Sequence, residues 1–365
     1  MQSSTPTLPP LLLDALPAQW DLQGAPAYRQ KQICEWLFDK RAASFDEMTN
    51  LSSPLRTHLK EHYSLSALEK VRVQGSHDTT QKYLWKLRSG DFIETVSIPA
   101  SPALYGEKSD RHTLCLSTQV GCAYGCRFCA SGLEGWRRNL TPAEIVAQIL
   151  EVERTSGRKV HNLVFMGMGE PLANYKNLLA ALEMIHAPWG LNLGARHITV
   201  STSGLAPVIR KLADQPLNIR LAISLHGATD ATRAQIMPVN EKYPIRELMD
   251  ACAYFVEQKQ KMITLEYILI QGVNDMPEEA QILARHARRL HAKVNLIPYN
   301  TVEGLDWARP SEKVIDQFQN IVQSLGVTAT VRREKGHDID AACGQLRLKE
   351  MRKSAEQVPG SKETI

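Results

Sequence analysis

Cys122, Cys126 and Cys129 stand within eight residues, Cys122-Ala-Tyr-Gly-Cys126-Arg-Phe-Cys129, at a C-x3-C-x2-C spacing. A thiolate is a soft ligand, and several on one short loop converge on one metal centre. A structural zinc or a closed iron–sulfur cluster takes four protein ligands, and this loop offers three. If the centre is a [4Fe–4S] cube, that count leaves one iron open to bind something else. The loop alone also fits a Cys3His zinc site or buried spare thiols.

Further along stands Phe165-Met-Gly-Met-Gly-Glu-Pro171. Its glycines, Gly169 among them, allow a ligand close to the backbone, and Glu170 beside them can accept hydrogen bonds from an ammonium group. A glycine pair by itself also describes a tight turn. Polar residues close later segments in the same way: Ser201, the triplet Ser224-Leu225-His226, and Asn300. Each alone reads as an ordinary strand-end residue, but their succession suggests a pocket. Cys115 lies seven residues before Cys122, and Cys343 lies in Gly336-His-Asp-Ile-Asp-Ala-Ala-Cys343-Gly-Gln-Leu346. By spacing alone these two read as a buried thiol and a loop thiol. Cys34 and Cys252 fall on helical patterns and read as core. Glu94 is a lone acid on a strand, a pattern that usually means a solvent-facing residue.

The elements that must position these groups follow from periodicity. From residue 112 the chain alternates strand and helix, with candidate strands at 112–117, 160–166, 196–202, 219–225, 263–269, 293–298 and 327–332. Alternation of this kind implies a parallel sheet. Six or seven units are too few for an eight-fold barrel. The expectation is α/β, a partial (β/α)6 barrel with its chemistry at the C-terminal strand ends, as in closed barrels. Thr141-Pro-Ala-Glu144 carries the signals of a capped helix start, followed by an apolar stripe of Ile145, Val146, Ile149 and Leu150. A later helix runs from Ser311 through Val314, Phe318 and Ile321 to Gly326. Residues 69–98 alternate as short antiparallel strands with a turn at Ser89-Gly-Asp91. The expected organisation is a loosely ordered tail (1–20), a small helical accessory domain (21–65), an antiparallel extension (66–110), the partial barrel (111–350) and a polar tail (351–365).

The chain has 365 residues, 43% of them apolar, a net charge of +4 and a pI of about 8.6. That balance is compatible with nucleic acid but does not by itself indicate it. The helical module carries Arg29, Lys31, Lys40 and Lys60, Trp136-Arg-Arg138 follows the cysteine loop, and Arg332-Arg-Glu-Lys335 lies near the end. Each basic group suits RNA phosphates or a solvated surface. No run of 18 apolar residues exists, so no membrane span is expected, and no secretory signal is visible. Seven cysteines do not read as a disulfide framework. A reducing cytoplasm is the expected location.

The cysteine spacing, with Phe128 before the last cysteine, resembles the signature of radical S-adenosylmethionine (SAM) enzymes. Taken together, the segments resemble the RlmN/Cfr family of RNA adenine methyltransferases from about Tyr28 to Leu346. The carrying residues are Phe45-Asp-Glu-Met-Thr49, Glu94-Thr-Val, Leu116-Ser-Thr-Gln-Val-Gly-Cys122, the cysteine loop, Arg138-Asn-Leu, Gly167-Met-Gly-Glu-Pro-Leu172, Ser201-Thr-Ser-Gly204, Ser224-Leu-His226 and Asp338-Ile-Asp-Ala-Ala-Cys-Gly-Gln-Leu346. The resemblance implies one [4Fe–4S] cluster on Cys122, Cys126 and Cys129, with SAM on the open iron. It places Gly169, Glu170, Ser201, Ser224, Leu225, His226 and Asn300 in the SAM pocket. It implies that Cys343 is methylated by displacement on one SAM. A second SAM then yields a 5′-deoxyadenosyl radical that removes hydrogen from the S-methyl group. The carbon radical adds to adenine, Glu94 takes the ring proton, and Cys115 releases product by forming a Cys115–Cys343 disulfide.

By the same resemblance the substrates are an adenosine of 23S rRNA and, in the RlmN branch, the adenosine next to the tRNA anticodon. Reaching a base means taking it out of its stack. An electron donor such as flavodoxin and a monomeric enzyme are expected. Gly-Glu-Pro at 169–171 is closer to RlmN, which gives 2-methyladenosine, than to Cfr-type methylation at C8. The alternatives are a different radical SAM enzyme, such as an activase or maturase, which would not need Cys343, and a non-catalytic zinc RNA-binding protein.

Overall fold

The structure, a computed structural model, describes residues 8–76, 80–100, 111–132, 135–300 and 305–332. Among them a ten-stranded sheet dominates. Its strands are β1 (Leu68–Gly75), β2 (Gln81–Leu87), β3 (Phe92–Pro99), β4 (His112–Cys115), β7 (Asn162–Phe165), β8 (Ile198–Thr202), β9 (Arg220–Ser224), β10 (Thr264–Leu269), β11 (Lys293–Pro298) and β12 (Ala329–Val331). They lie side by side in that order. A separate hairpin pairs β5 (Gln119–Gly121) with β6 (Trp136–Asn139).

The strands from β4 onward, apart from that hairpin, are parallel and run in chain order across the sheet. Helices make the crossovers: α3 (Pro142–Ser156), α4 (Tyr175–His186), α5 (Ala206–Ala213), α6 to α8 (Asp230–Ile236, Val239–Lys242 and Ile245–Lys259), α9 (Pro277–Arg289) and α10 (Glu312–Ser324). Residues at the ends of β8, β9, β10 and β11 wall one cavity, so the sheet curls into an arc. This is the partial barrel that the strand–helix rhythm implies. The antiparallel strands are part of it: β3 pairs with β4, so the same sheet continues through β2 to β1.

The local signals act where they stand in the chain. Thr141 accepts a hydrogen bond from the Glu144 amide at 3.3 Å, and Glu144 accepts one from the Thr141 amide at 3.0 Å, closing the capping box. The helix ends at Gly157, whose φ is +68°. Ile145, Val146, Ile149 and Leu150 are buried, but so are Glu144, Gln148 and Glu153 on other faces. The reason is a second layer. The N-terminal module, with α1 (Tyr28–Cys34) and α2 (Ser53–His62), packs over this helix. Arg41 pairs with Glu153, and the Ala143 amide donates to the Asp14 carboxylate at 3.2 Å.

One expectation is corrected here. Residues 8–20 are not a loose tail: Leu11, Leu12, Leu13 and Trp20 are buried. The Leu12 amide donates to the Ser64 carbonyl at 3.0 Å, and the Trp20 indole N–H donates to the Leu12 carbonyl at 3.0 Å. Apolar side chains that cap a helix layer are ordered by that burial, whatever the flanking Pro and Ser suggest. Cys34 and Cys252 are core residues, and burial pushes both thiols up to about 12. Among the described residues no helix is long and apolar enough to cross a membrane.

Candidate active site

β4 and the short hairpin aim the cysteine loop at the C-terminal mouth of the sheet. The Cys122 amide donates to the Gly135 carbonyl at 3.0 Å, fastening the start of the loop to the hairpin. The Arg127 amide donates to the Ile236 carbonyl at 2.9 Å, fastening its middle to α6. Phe128 stands edge-on to the His226 ring, centroids 4.8 Å apart. The three cysteine side chains are half-buried and line one cavity of about 230 Å³.

That cavity also takes Gly169, Glu170, Ser201, Ser224 and His226 into its wall. Gly169 has φ +96°, and a Cβ there would lie 2.5 Å from the Gln119 Cβ. Glycine is therefore required twice over, for its backbone angle and for the close approach. Gln119 holds the next residue in place: its Oε1 accepts from the Glu170 amide at 2.8 Å, and its Nε2 donates to Asn139 Oδ1 at 2.7 Å. The Glu170 carboxylate accepts from the Ser203 amide at 2.6 Å and the Leu172 amide at 3.0 Å. Burial pushes this carboxyl up, and those hydrogen bonds oppose it. These bonds, with the Ser203 and Thr202 hydroxyls, fix the carboxyl at the cavity wall, where it can meet a cationic ligand group.

Ser201 Oγ and Ser224 Oγ are 3.4 Å apart on neighbouring strands. His226 sits at φ +57° and accepts a hydrogen bond from the Ile268 amide on Nδ1 at 3.0 Å. Burial, reinforced by Arg233, lowers its pKa to about 3. The ring is therefore neutral, with its proton on Nε2. Fully buried Arg233 ties the loops together, donating to the Leu225 and Ser203 carbonyls and to Asn240 Oδ1.

The donor set suits an iron–sulfur cube. Burial pushes the Cys122 thiol up to about 12 and the Cys126 thiol well above its ordinary value, and the other loop cysteines and Glu170 add to the rise. A cationic metal centre relieves that penalty on three neighbouring thiolates. Among the described residues no three His, Cys, Asp or Glu side chains converge on a point fit for a single ion. A cube needs less convergence, since it presents separate irons to separate thiolates.

The remaining candidate residues fall elsewhere. Leu225 is buried behind the cavity wall, its amide bonded to the Glu266 carbonyl at 3.0 Å. Asn300 follows the end of β11 and is not among the residues walling the cavity. Cys115 and Glu94 are buried on strands flanking the mouth. Glu94 is thus not solvent-facing; it forms an ion pair with Lys82 at 3.1 Å. Cys343, Arg333 and Lys335 lie outside the described residues, and so does any Cys115–Cys343 bond. Arg332 lines the cavity while remaining exposed. Arg138 is spent internally, bidentate to Glu144 at 2.8 Å and within 3.3 Å of Asp91. Trp136 and Arg137 stay about half exposed.

Two residues in this region were not singled out from sequence. Glu266 lines the cavity, is hydrogen-bonded to Asn295 at 2.6 Å, and has its carboxyl pushed up by burial. Lys82 is fully buried. Strand alternation carries a usable signal for both: Glu266 follows Thr264 on one face of β10, and Lys82 precedes Leu84 on one face of β2.

Comparison with known proteins agrees with this geometry. Residues 116–283 match the Radical SAM superfamily, and residues 14–65 match the ribosomal RNA large subunit methyltransferase N-terminal domain. The chain is 54% identical, over 91% of its length and 92% of the other, to a probable dual-specificity RNA methyltransferase RlmN of Akkermansia muciniphila. It is 44% identical, over 95% of its length and 93% of the other, to a dual-specificity RNA methyltransferase RlmN of Anaeromyxobacter dehalogenans. A crystal structure of a radical SAM methyltransferase from Sphaerobacter thermophilus superposes with a TM-score of 0.86 at 43% identity, covering 92% of this chain and 99% of that one.

Proposed function

We propose an activity for this chain on the premise that it belongs to the RlmN family of radical SAM methyltransferases. It methylates adenine in RNA, at C2 of one adenosine in 23S rRNA and at the adenosine 3′ to the tRNA anticodon. The observation that carries the reading is the shared cavity: three loop thiols, Glu170, Ser201, Ser224 and His226 meet at the ends of successive strands.

Cys122, Cys126 and Cys129 would hold a [4Fe–4S] cluster, which would supply one-electron reduction of the SAM sulfonium and so radical chemistry at an unactivated carbon. Gly169 lets SAM lie against the backbone, and Glu170 takes its ammonium group. Ser201, Ser224 and the Nε2–H of His226 add hydrogen bonds, while Leu225 and Asn300 shape the site from behind and beside it. Cys343 Sγ accepts a methyl group from SAM by displacement, losing its thiol proton to solvent and releasing S-adenosylhomocysteine. The S-methyl group of Cys343 would lose one hydrogen atom to the 5′-deoxyadenosyl radical derived from SAM, and its carbon would bond to the adenine ring carbon, whose proton Glu94 accepts. Cys115 Sγ then attacks Cys343 Sγ, breaking its bond to the product carbon; that carbon takes up a proton to complete the methyl group, one electron returns to the electron carrier, and the resulting disulfide is reduced by an external thiol.

Trp136, half exposed on β6 of the hairpin that leads into Cys122, offers a stacking face for an extracted base. The enzyme works as a cytoplasmic monomer with a flavodoxin-type electron donor. The test is anaerobic incubation of reconstituted protein with labelled SAM and an rRNA fragment, followed by nucleoside analysis. Labelled 2-methyladenosine is expected, and 8-methyladenosine alone would move the chain to the Cfr branch. A colourless protein that holds one zinc and turns over no SAM would end the enzymatic reading, and full RNA methylation by Cys343→Ala would point to a different radical mechanism.

A further inference from the structure

We infer that Lys82 is a positioning residue for the RNA step: its buried ammonium pairs with the Glu94 carboxylate and fixes it beside the cavity mouth. This rests on the reading of Glu94 as proton acceptor. Lys82 Nζ lies 3.1 Å from Glu94 Oε2, and the two side chains are 0% and 3% exposed.

Strand register shows which way the pair faces. Lys82 is paired with Val96, and Val96 with Cys115. Cys115 is paired with Val164, and Val164 with Thr199. Directly paired residues share a face of the sheet, and residues two apart on a strand share it as well. Ser201, two beyond Thr199, lines the cavity, so Lys82, Cys115 and Glu94 are on the cavity face. β3 runs antiparallel to β4, so Glu94 lies nearer the mouth than Val96 does. The Ser117 hydroxyl donates to the Glu94 carbonyl, tying that strand to the approach of the cysteine loop. Lys82 sits one step deeper, level with Cys115. The ammonium backs the carboxylate from inside the barrel.

The arrangement is costly unless it serves chemistry. Leu84 and Val96, which share the face of the pair, are apolar and buried. Two desolvated charges stabilise such a site no better than a well-packed apolar pair. A buried carboxylate without a cation takes up a proton, and a protonated carboxyl cannot accept one from a ring carbon. Among the described residues, the titratable groups on this face of the strands are Glu69 and Arg72 on β1, Lys86 on β2, Cys115 on β4, Arg220 on β9, Glu266 on β10 and Lys293 on β11, with Arg332 at the cavity wall. The positive charges among them, Arg72, Lys86, Arg220, Lys293 and Arg332, are all exposed, whereas Lys82 is buried against Glu94.

The test uses reconstituted full-length protein carrying Lys82→Met, Lys82→Gln, Lys82→Arg, Glu94→Gln or Lys82→Met/Glu94→Gln. RNA methylation is followed from pH 6 to 9, with methyl transfer to Cys343, read by protein mass spectrometry, as the step that needs neither residue. Lys82→Met should lower RNA methylation at pH 7 by about tenfold or more and move the acid limb of its pH profile upward by about one unit or more. Lys82→Arg should restore both. The double variant, having no buried charge, should fold and be no slower than Glu94→Gln. Lys82→Gln gives the same reading if Lys82→Met does not fold. A Lys82 profile parallel to the parent's, while Glu94→Gln is inactive, overturns the assignment of Lys82 alone. Full activity in Glu94→Gln overturns the role of Glu94 beneath it.

Discussion

Gly169→Ala tests whether the site is built on a backbone approach that only glycine allows. The residue has φ +96°, and an added Cβ would sit 2.5 Å from Gln119 Cβ, 2.6 Å from Gln119 Cγ and 2.9 Å from the Gln119 amide nitrogen. A side chain in left-handed backbone costs about 1–2 kcal/mol. Forcing a methyl into packed neighbours costs about 1–3 kcal/mol more. The expected destabilisation is therefore about 2–5 kcal/mol. Gly157 is the matched control: its φ is +68° and nothing lies within 4 Å of its would-be Cβ, so Gly157→Ala should cost about 1–2 kcal/mol. A chain of 365 residues unfolds with an entropy of about 0.8 kcal/mol/K, so each kcal/mol moves Tm by about 1.3 °C. Gly169→Ala should melt about 3–6 °C below the parent and Gly157→Ala about 1–3 °C below. Gln119, pushed aside, also releases the Glu170 amide, so reconstituted Gly169→Ala should bind SAM at least tenfold more weakly in anaerobic equilibrium dialysis. Equal melting of the two variants, or parental SAM affinity in Gly169→Ala, would refute the packing argument.

Other outcomes follow from the same geometry. The His226 pKa is about 3 in the folded protein and about 6.5 unfolded, so its contribution is present above pH 6.5 and lost as the pH falls towards 3. Stability to urea should drop by about 2 kcal/mol from this group between pH 6.5 and 5, and His226→Gln should flatten that part of the profile. Arg233→Met strips a donor from the Leu225 and Ser203 carbonyls and from Asn240. It should cost about 3–5 kcal/mol in a denaturant melt, with only partial rescue by Arg233→Lys, whose single ammonium cannot span three acceptors. Burial holds the Cys122 thiol near 12, so iron uptake must release protons. Iron affinity, measured by chelator competition, should rise with pH, and Cys122→Ser, Cys126→Ser or Cys129→Ser should each abolish the brown chromophore.

Much of this protein can be read along the chain. The C-x3-C-x2-C loop, the Gly169-Glu170 turn and the strand ends at Ser201 and Ser224 are short-range features, and so is the capping box at Thr141. They were visible because thiolate spacing, glycine geometry and helix caps act within a few residues. The strand–helix rhythm specified the parallel sheet for the same reason: alternation of period two and period 3.6 is local.

Burial and charge pairing are different in kind, because they depend on which distant segments meet. Glu94 looked like a surface acid until β2 brought Lys82 beside it and the arc closed over both. Arg138 read as a phosphate contact or a solvated surface residue until Glu144 and Asp91 paired with it. Leu11 to Leu13 looked like a loose tail until α3 needed a covering layer. By itself the sequence determined which chemical groups this protein carries and the order of its strands and helices. The tertiary structure alone decided which of the charges are desolvated, since removal from water is a property of the whole packed arrangement and not of neighbours along the chain.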